Sequence, residues 1–258
     1  ICEERGLEYR LLSRADCEIC DPCAVARVLD ELQPWALVNT AGYVRVDDAE
    51  HDQERCYREN SVGPGVLAEA CASSGVRLVT FSSDLVFDGE RQEPYVESDP
   101  VRPLNVYGLS KARAEAAVLE RWPAALVVRT SAFFGPWDEH NFVQRALQAL
   151  ARGERFAANE ATVSPTYVPD LVAACLDLLV DGESGLWHLA NRGAISWADL
   201  AREAAARAGH SSATLDVVPA HDPGALAARP VYSVLGSERG YLLPALENAL
   251  DRYVAAVA

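Results

Sequence analysis

The stretch Val76-Arg77-Leu78-Val79-Thr80-Phe81-Ser82-Ser83-Asp84 decides how the chain folds. It is a short run rich in β-branched and aromatic residues that ends in a polar triplet. Such a run reads as a strand buried on both faces, and strands of that kind belong to parallel sheets. Outward from it the pattern repeats. Residues 7–12, 36–39 and 125–130 also read as strands. Helical patterns separate them. One covers 21–31, with Asp21 as N-cap and Pro22 in the first turn. A second covers 53–74 and should kink or split at Gly63-Pro64-Gly65. A third carries Tyr107 and Lys111 and runs to about Arg121. The acidic, Gly- and Pro-rich stretch 88–103 reads as a long loop. This alternation predicts an α/β fold, a Rossmann-type doubly wound parallel sheet. Ligands then bind at the carboxyl ends of the strands. Polar groups fall there: Asn39, Ser82-Ser83-Asp84 and Thr130-Ser131.

The second half is less regular. Residues 141–151, 170–180 and 197–208 read as helices, the last capped by Ser196. Residues 162–167 and 185–190 read as extended, and 219–230 as a loop. The domain reading is a dinucleotide-binding part, 1–135, completed by 164–190. Residues 136–163 and 191–258 form a small C-terminal substrate-binding lobe. The chain opens on a helical 1–5 closed by Gly6.

A formal charge of −15 on 258 residues argues against nucleic acid or an anionic membrane as partner, because both need a basic face. No apolar run approaches the ~20 residues of a membrane span, and no secretory signal is visible. The expectation is a cytoplasmic protein whose seven cysteines are reduced. Cys17, Cys20 and Cys23 suggest a metal, but no second ligand cluster lies near them in sequence, so no metal is expected. His188, in an apolar strand, reads as a hydrogen-bonded core residue. The acidic group Asp47, Asp48 and Glu50 reads as helix-terminal or solvated charge. Trp35, Trp122, Trp137 and Trp197 read as packing residues.

Among 23 basic residues, Lys111 is the only lysine. It lies four residues after Tyr107, on the same helix face. Lysine is a compact point charge and arginine a broad fork, so a site needing a small cation beside a phenol would select lysine. A nearby ammonium favours phenolate and is expected to lower the tyrosine pKa toward that of a general acid usable near neutral pH.

Taken together, the ordered motifs resemble one family. They are Asp21-Pro22, Val38-Asn39-Thr40-Ala41-Gly42-Tyr43, Val46-Asp47-Asp48-Ala49-Glu50, Asn60, Ser82-Ser83-Asp84-Leu85-Val86-Phe87-Asp88-Gly89, Pro103 to Lys111, Arg129-Thr130-Ser131, Asn141-Phe142, Ser164-Pro165-Thr166-Tyr167 and Arg229-Pro230. Across nearly its whole length the chain resembles the extended short-chain dehydrogenase/reductases, and within them the dTDP-4-dehydrorhamnose reductases and their sugar-nucleotide-binding relatives. The resemblance implies reduction of a nucleotide-linked 4-keto-6-deoxy sugar by NADPH or NADH. Tyr107 would protonate the sugar oxygen, Ser83 would hydrogen-bond it, and Lys111 would hold the nicotinamide ribose. Cofactor contacts would come from Arg14, Glu18, Ile19, Asn39, Ala41, Tyr43, Asn60, Ser82 and Lys111, with Arg14 weakly favouring NADPH. Substrate contacts would come from Ser83, Asp84, Phe133, Asn141 and Arg229.

The chain departs from that family's pattern at several points. Relatives carry an opening strand and a Gly-x-x-Gly-x-x-Gly phosphate loop ahead of the position where this chain begins. Both are missing, so a native N-terminus or a fused domain is expected to precede Ile1. Leu85 and Ala132 replace a tyrosine and a tryptophan that touch the sugar, and Tyr232 replaces an asparagine. These point to a different, bulkier sugar, with Phe133 and Phe134 refilling part of the pocket. Ser83 replaces a threonine and keeps the hydroxyl. The alternative is a non-catalytic regulatory or fused binding domain of the same fold, and an epimerase or dehydratase stays open behind it. A homodimer is an open partner reading.

Overall fold

The computed structural model describes residues 1–221, 224–241 and 243–257. In chain order its elements are α1 (Pro22–Leu32), β1 (Ala36–Asn39), α2 (Gln53–Tyr57), α3 (Gly63–Ser74), β2 (Arg77–Phe81), α4 (Val106–Arg121), β3 (Leu126–Arg129), β4 (Phe133–Phe134), α5 (Phe142–Ala151), β5 (Phe156–Asn159), β6 (Thr162–Val163), β7 (Thr166–Tyr167), α6 (Val168–Asp181), β8 (Gly185–His188), β9 (Ile195–Ser196), α7 (Trp197–Arg207), β10 (Leu215–Val218) and α8 (Leu246–Val257). They divide into two units. The first is Ile1–Phe87, Val101–Arg129 and Cys175–Trp187; the second is Asp88–Pro100, Thr130–Ala174 and His188–Ala258.

The first unit is built on the sheet. Strands run in the order β1-β2-β3-β8, with β1 parallel to β2 and β2 parallel to β3. Asp21 starts α1 as read, because its carboxylate accepts a hydrogen bond from the Cys23 N–H. Val25 and Leu29 of α1 pack with Leu67, Leu78, Val118 and Val127 into one core. That core needs close approach at Gly63, where an added Cβ would sit 2.6 Å from Ile19 Cδ1. The long helix of 53–74 does split. A π-helical turn, Arg58–Val62, separates α2 from α3 and ends just before Gly63. Turns of this type often mark functional sites, and this one carries Asn60.

Two expectations for the N-terminal stretch fail. Residues 1–5 form turns rather than a helix, although Gly6 does take a left-handed φ of 64°. Residues 7–12 form no strand. A strand exists only where a neighbour pairs with its backbone. Among the described residues none pairs with this stretch, and Leu11 is 84% exposed.

In the second unit β4 pairs with β7, β5 with β10, and β6 with β9. Its core gathers Phe134, Tyr167, Leu200, Leu250 and Tyr253. Phe134 and Tyr253 meet edge-on at 5.5 Å. Ser196 caps α7 as read, accepting from the Asp199 N–H. The sequence reading did not assign β5, β10 or α8. The two strands are four residues each and are fixed by pairing with one another across 59 positions of register, which no local window sees. Part of the loop read at 219–230 lies outside the described residues.

Candidate active site

The carboxyl end of β2 opens the site. The Ser82 N–H donates to the Val128 carbonyl at 2.7 Å, which extends the sheet one residue further. Ser83 then turns the chain. Its Oγ accepts the Leu85 N–H at 3.1 Å and caps a single 3-10 turn, Asp84–Val86. Helix α4 begins against that turn. Two side chains cap it: Asn105 Oδ1 accepts the Gly108 N–H at 2.7 Å, and a Glu50 carboxylate oxygen accepts the Val106 N–H at 2.8 Å. The acidic group around Glu50 is therefore helix-terminal charge, as read. Gly108 permits the contact, because a Cβ there would lie 2.1 Å from the Leu85 carbonyl oxygen. The Tyr107 hydroxyl consequently reaches hydrogen-bonding range of Ser83.

Lys111 lies one turn along α4 and is buried. Its Nζ donates to the Phe81 carbonyl at 3.2 Å and sits 5.7 Å from the centre of the Tyr107 ring. The electrostatics differ from the sequence expectation. Burial pushes the Tyr107 phenol pKa up, with the nearby Asp84 charge adding to it and the Ser83 hydrogen bond opposing it. The net shift is upward, with burial its largest cause. The ammonium is turned to the Phe81 carbonyl and is itself desolvated, so burial pulls it down to about 8 against the opposing charges of Cys56 and Glu115. A phenol held protonated is still a proton donor, since an alkoxide is more basic than a phenolate. Tyr107 is thus suited to give a proton to an alkoxide and unsuited to remove one.

The loop after β1 is held beside Lys111. Asn39 Nδ2 donates to Thr80 Oγ1 and Asn39 Oδ1 accepts the Ala41 N–H, both at 3.1 Å. Asn60 clamps Tyr43 from both sides, accepting its N–H at 2.8 Å and donating to its carbonyl at 3.0 Å. The same amide donates to Ser110 Oγ at 2.9 Å. Asn60 therefore fixes the loop that carries Ala41 and Tyr43. Ala41 is exposed. Tyr43 is only 3% exposed, and its hydroxyl has no hydrogen-bond partner among the described residues. A buried orphan donor of this kind calls for an explanation. With the Lys111 ammonium, whose one acceptor among the described residues is Phe81, it fits a dinucleotide bearing hydroxyl groups.

The remaining cofactor candidates vary. Arg14 is half-exposed and pairs at 2.9 Å with Glu59, which also binds Arg55 at 2.8 Å. Glu18 pairs with Arg58 at 3.6 Å, and Ile19 packs on Gly63. Ser82 turns away from the opening: its Oγ donates to the buried Glu115 carboxylate. Glu115 is held in turn by both arms of the buried Arg129 guanidinium, at 2.8 and 2.6 Å. The sequence reading missed Glu115. A signal was present, because Glu115 falls four residues after Lys111 on one helix face, and Arg129 ends an otherwise apolar strand, where a charge needs a partner.

The other substrate candidates belong to the second unit. Phe133 is 47% exposed there and follows Ala132, a non-glycine residue at φ 44°. Asn141 is buried, donates to the Gly135 carbonyl at 3.2 Å and the Asp138 carbonyl at 2.5 Å, and caps α5 by accepting the Gln144 N–H at 2.9 Å. Its polar atoms close the loop and cap the helix. Arg229 is exposed and donates to the Ala227 carbonyl at 3.1 Å. His188 is the core histidine expected, its Nδ1 lying 2.9 Å from the Gly236 carbonyl. Trp137 is 76% exposed and so is no packing residue. All seven cysteines are free thiols. Among the described residues no group of three or more His, Cys, Asp or Glu could hold a metal ion, and no helix is long and apolar enough to cross a membrane.

The chain is similar to known proteins along most of its length. The family model described as RmlD substrate binding domain matches residues 1–256. A dTDP-4-dehydrorhamnose reductase of Mycolicibacterium smegmatis is 37% identical over 239 residues, covering 91% of this chain and 72% of that protein. A dTDP-4-keto-6-deoxy-D-glucose reductase of Streptomyces niveus is 32% identical over 238 residues, covering 91% and 82%. The crystal structure of dTDP-4-dehydrorhamnose reductase from Bacillus anthracis in complex with NADP superposes with a TM-score of 0.90 at 30% identity, covering 98% of this chain and 91% of that one.

Proposed function

The chain belongs to the RmlD substrate binding domain family, and from that premise we propose that it is an NADPH-dependent reductase of a dTDP-linked 4-keto-6-deoxy sugar. The observation that carries the proposal is the shared placement of Ser83, Tyr107 and Lys111 at the end of β2 and the first turns of α4. NADPH supplies a hydride to the carbonyl carbon. The chain's own groups do the rest. Ser83 Oγ hydrogen-bonds the carbonyl oxygen and orients it. The Tyr107 hydroxyl gives its proton to that oxygen as negative charge develops, an interaction stronger in the transition state than in the ground state. The Lys111 ammonium binds the ribose hydroxyls with the N–H groups that Phe81 leaves free.

The first unit takes the dinucleotide, with Ala41 and Tyr43 lining it and Asn39 and Asn60 fixing their loop. Arg14 takes the 2′-phosphate after exchanging its Glu59 partner, which keeps Arg55. The second unit supplies nucleotide-sugar contacts through Phe133 and Arg229. A cytoplasmic location is part of this reading. Light scattering in solution tells a monomer from a homodimer.

The test is Tyr107→Phe, assayed by NADPH oxidation with a dTDP-4-keto-6-deoxy sugar. Turnover is expected to fall about 10²–10⁴-fold, with NADPH binding by fluorescence titration unchanged within threefold. Turnover equal to the unsubstituted protein would dismiss the proposal. Tightly retained NAD with no net oxidation would favour an epimerase or dehydratase instead.

A further inference from the structure

The buried group Ser82–Glu115–Arg129 lies outside the reacting trio yet adjoins it on two sides. Ser82 precedes Ser83 in the chain, and Glu115 follows Lys111 by one helical turn. Glu115 and Arg129 side chains are only 8% and 3% exposed. Bringing two charges to such depth is costly and seldom improves stability over an apolar pair. A buried ion pair therefore asks for a reason beyond folding.

We propose that Glu115 is a positioning residue for the proposed reductase site, anchoring Ser82 beside Ser83 and presenting its carboxylate one turn behind the Lys111 ammonium. The geometry supports both halves. Ser82 Oγ donates to Glu115 Oε1, the oxygen that also accepts Arg129 Nε at 2.8 Å, so the strand end carrying Ser83 is tied to α4. Arg129 Nη2 holds the second oxygen at 2.6 Å and fixes the carboxylate plane. Glu115 therefore cannot swing toward Lys111 and quench it in a close pair, and its charge acts from a fixed place.

The other groups around Lys111 leave little else for that task. Phe81 offers a neutral carbonyl and Tyr107 a neutral phenol. Gly42 and Asn60 approach from the loop and the π-turn: a Cβ on Gly42 would lie 2.7 Å from Asn60 Oδ1 and 3.6 Å from Lys111 Nζ. Cys56 is a buried thiol whose own pKa is raised by desolvation, and it hydrogen-bonds Ser110 at 3.4 Å. Asp84 acts on Tyr107 and accepts a hydrogen bond from Ser83 Oγ at 3.1 Å. Cys56 and then Glu115 oppose the burial that lowers the Lys111 pKa, and Glu115 is the carboxylate of the two.

Because Lys111 is the only lysine, its titration can be read without any enzymatic assay. In protein grown with ¹³C-lysine, one Cε resonance reports the ammonium. The expected midpoint is near 8. Glu115→Gln should move it down by about one pH unit, as removing one partly compensated charge at helical i,i+4 distance implies. Arg129→Gln should move it up, because the Glu115 charge is then uncompensated. Glu115→Asp keeps the charge and should restore the midpoint while Ser82 loses its acceptor. In that variant kcat should fall about tenfold, with the NADPH KM changed less than twofold, since a shift of Ser83 by a fraction of an ångström weakens transition-state alignment. A merely structural role would lower the melting temperature and leave the midpoint in place, which overturns the inference. A midpoint at the free-lysine value of ~10.4 in the unsubstituted protein overturns it too, and needs no variant to fold. Absence of turnover with the expected titration series would overturn the reductase reading, and with it the kcat half of this inference, while the effect of the Glu115 charge on Lys111 would stand.

Discussion

Replacing Gly108 by alanine sets two physical effects against each other. On helix propensity alone the change favours α4 by about 1 kcal/mol. The tertiary contact opposes it. The new Cβ would sit 2.1 Å from the Leu85 carbonyl oxygen, 3.0 Å from its carbon and 3.1 Å from Pro103 Cβ. Ordinary contact begins near 3.4 Å, so the helix start and the turn must part by about 1.3 Å, the difference between 3.4 and 2.1 Å. The obstacle is backbone, and no rotamer change relieves it. The Asn105 cap and the Glu50 bond to Val106 hold the helix start in place, so the strain falls on the Tyr107–Ser83 contact. A misplacement of about 1 Å at reacting groups costs on the order of 10²-fold in rate. Gly108→Ala is therefore expected to lose about 100-fold in kcat, with NADPH binding little changed. Steady-state NADPH oxidation at saturating sugar nucleotide, beside a thermal melt, checks this. A variant with higher melting temperature and kcat within threefold of the parent would show that Gly108 is only a helix residue and that the close approach does not set the site.

Other outcomes follow from the same geometry. Lys111 titrates near 8 when folded against 10.5 in the reference state. Below 8 both states are protonated and the buried charge costs stability; between 8 and 10.5 the folded state gives up its proton first, so stability rises with pH there. Lys111→Met should thus stabilise the protein at pH 7 by up to about 3 kcal/mol, read as a higher melting temperature, with activity lost. No rise, or a fall, would show that the ammonium is not desolvated. Asn60→Ala removes the bonds to both sides of Tyr43 and to Ser110. At about 1 kcal/mol per net hydrogen bond it should destabilise by roughly 3 kcal/mol and raise the NADPH KM more than it lowers kcat; an unchanged KM would mean that the loop does not line the cofactor.

Much of the site was legible because it is local. Asp21-Pro22 and Ser196 start helices through bonds to residues two or three places on, and Tyr107 and Lys111 share a face by helical period alone. Strand runs ending in Asn39 and Ser82-Ser83-Asp84 placed the polar groups at one edge of a parallel sheet. Other features were decided at long range. Residues 7–12 have a strand's composition, yet no described residue pairs with them. The loop bonds of the Asn141 amide, to Gly135 and Asp138, were likewise not legible in the sequence.

What the sequence determined by itself was the capped and periodic elements around the site and which side chains gather at the strand ends, since periodicity and capping act within a few residues. The charge states were left to the tertiary structure. Spacing alone said that Lys111 lowers the Tyr107 pKa; burial reversed that, holding the phenol protonated and pulling the ammonium down to about 8. Desolvation depends on everything packed around a group, and here that includes Cys56, Asp84 and Glu115 from three separate stretches of chain. No window of sequence contains that surround.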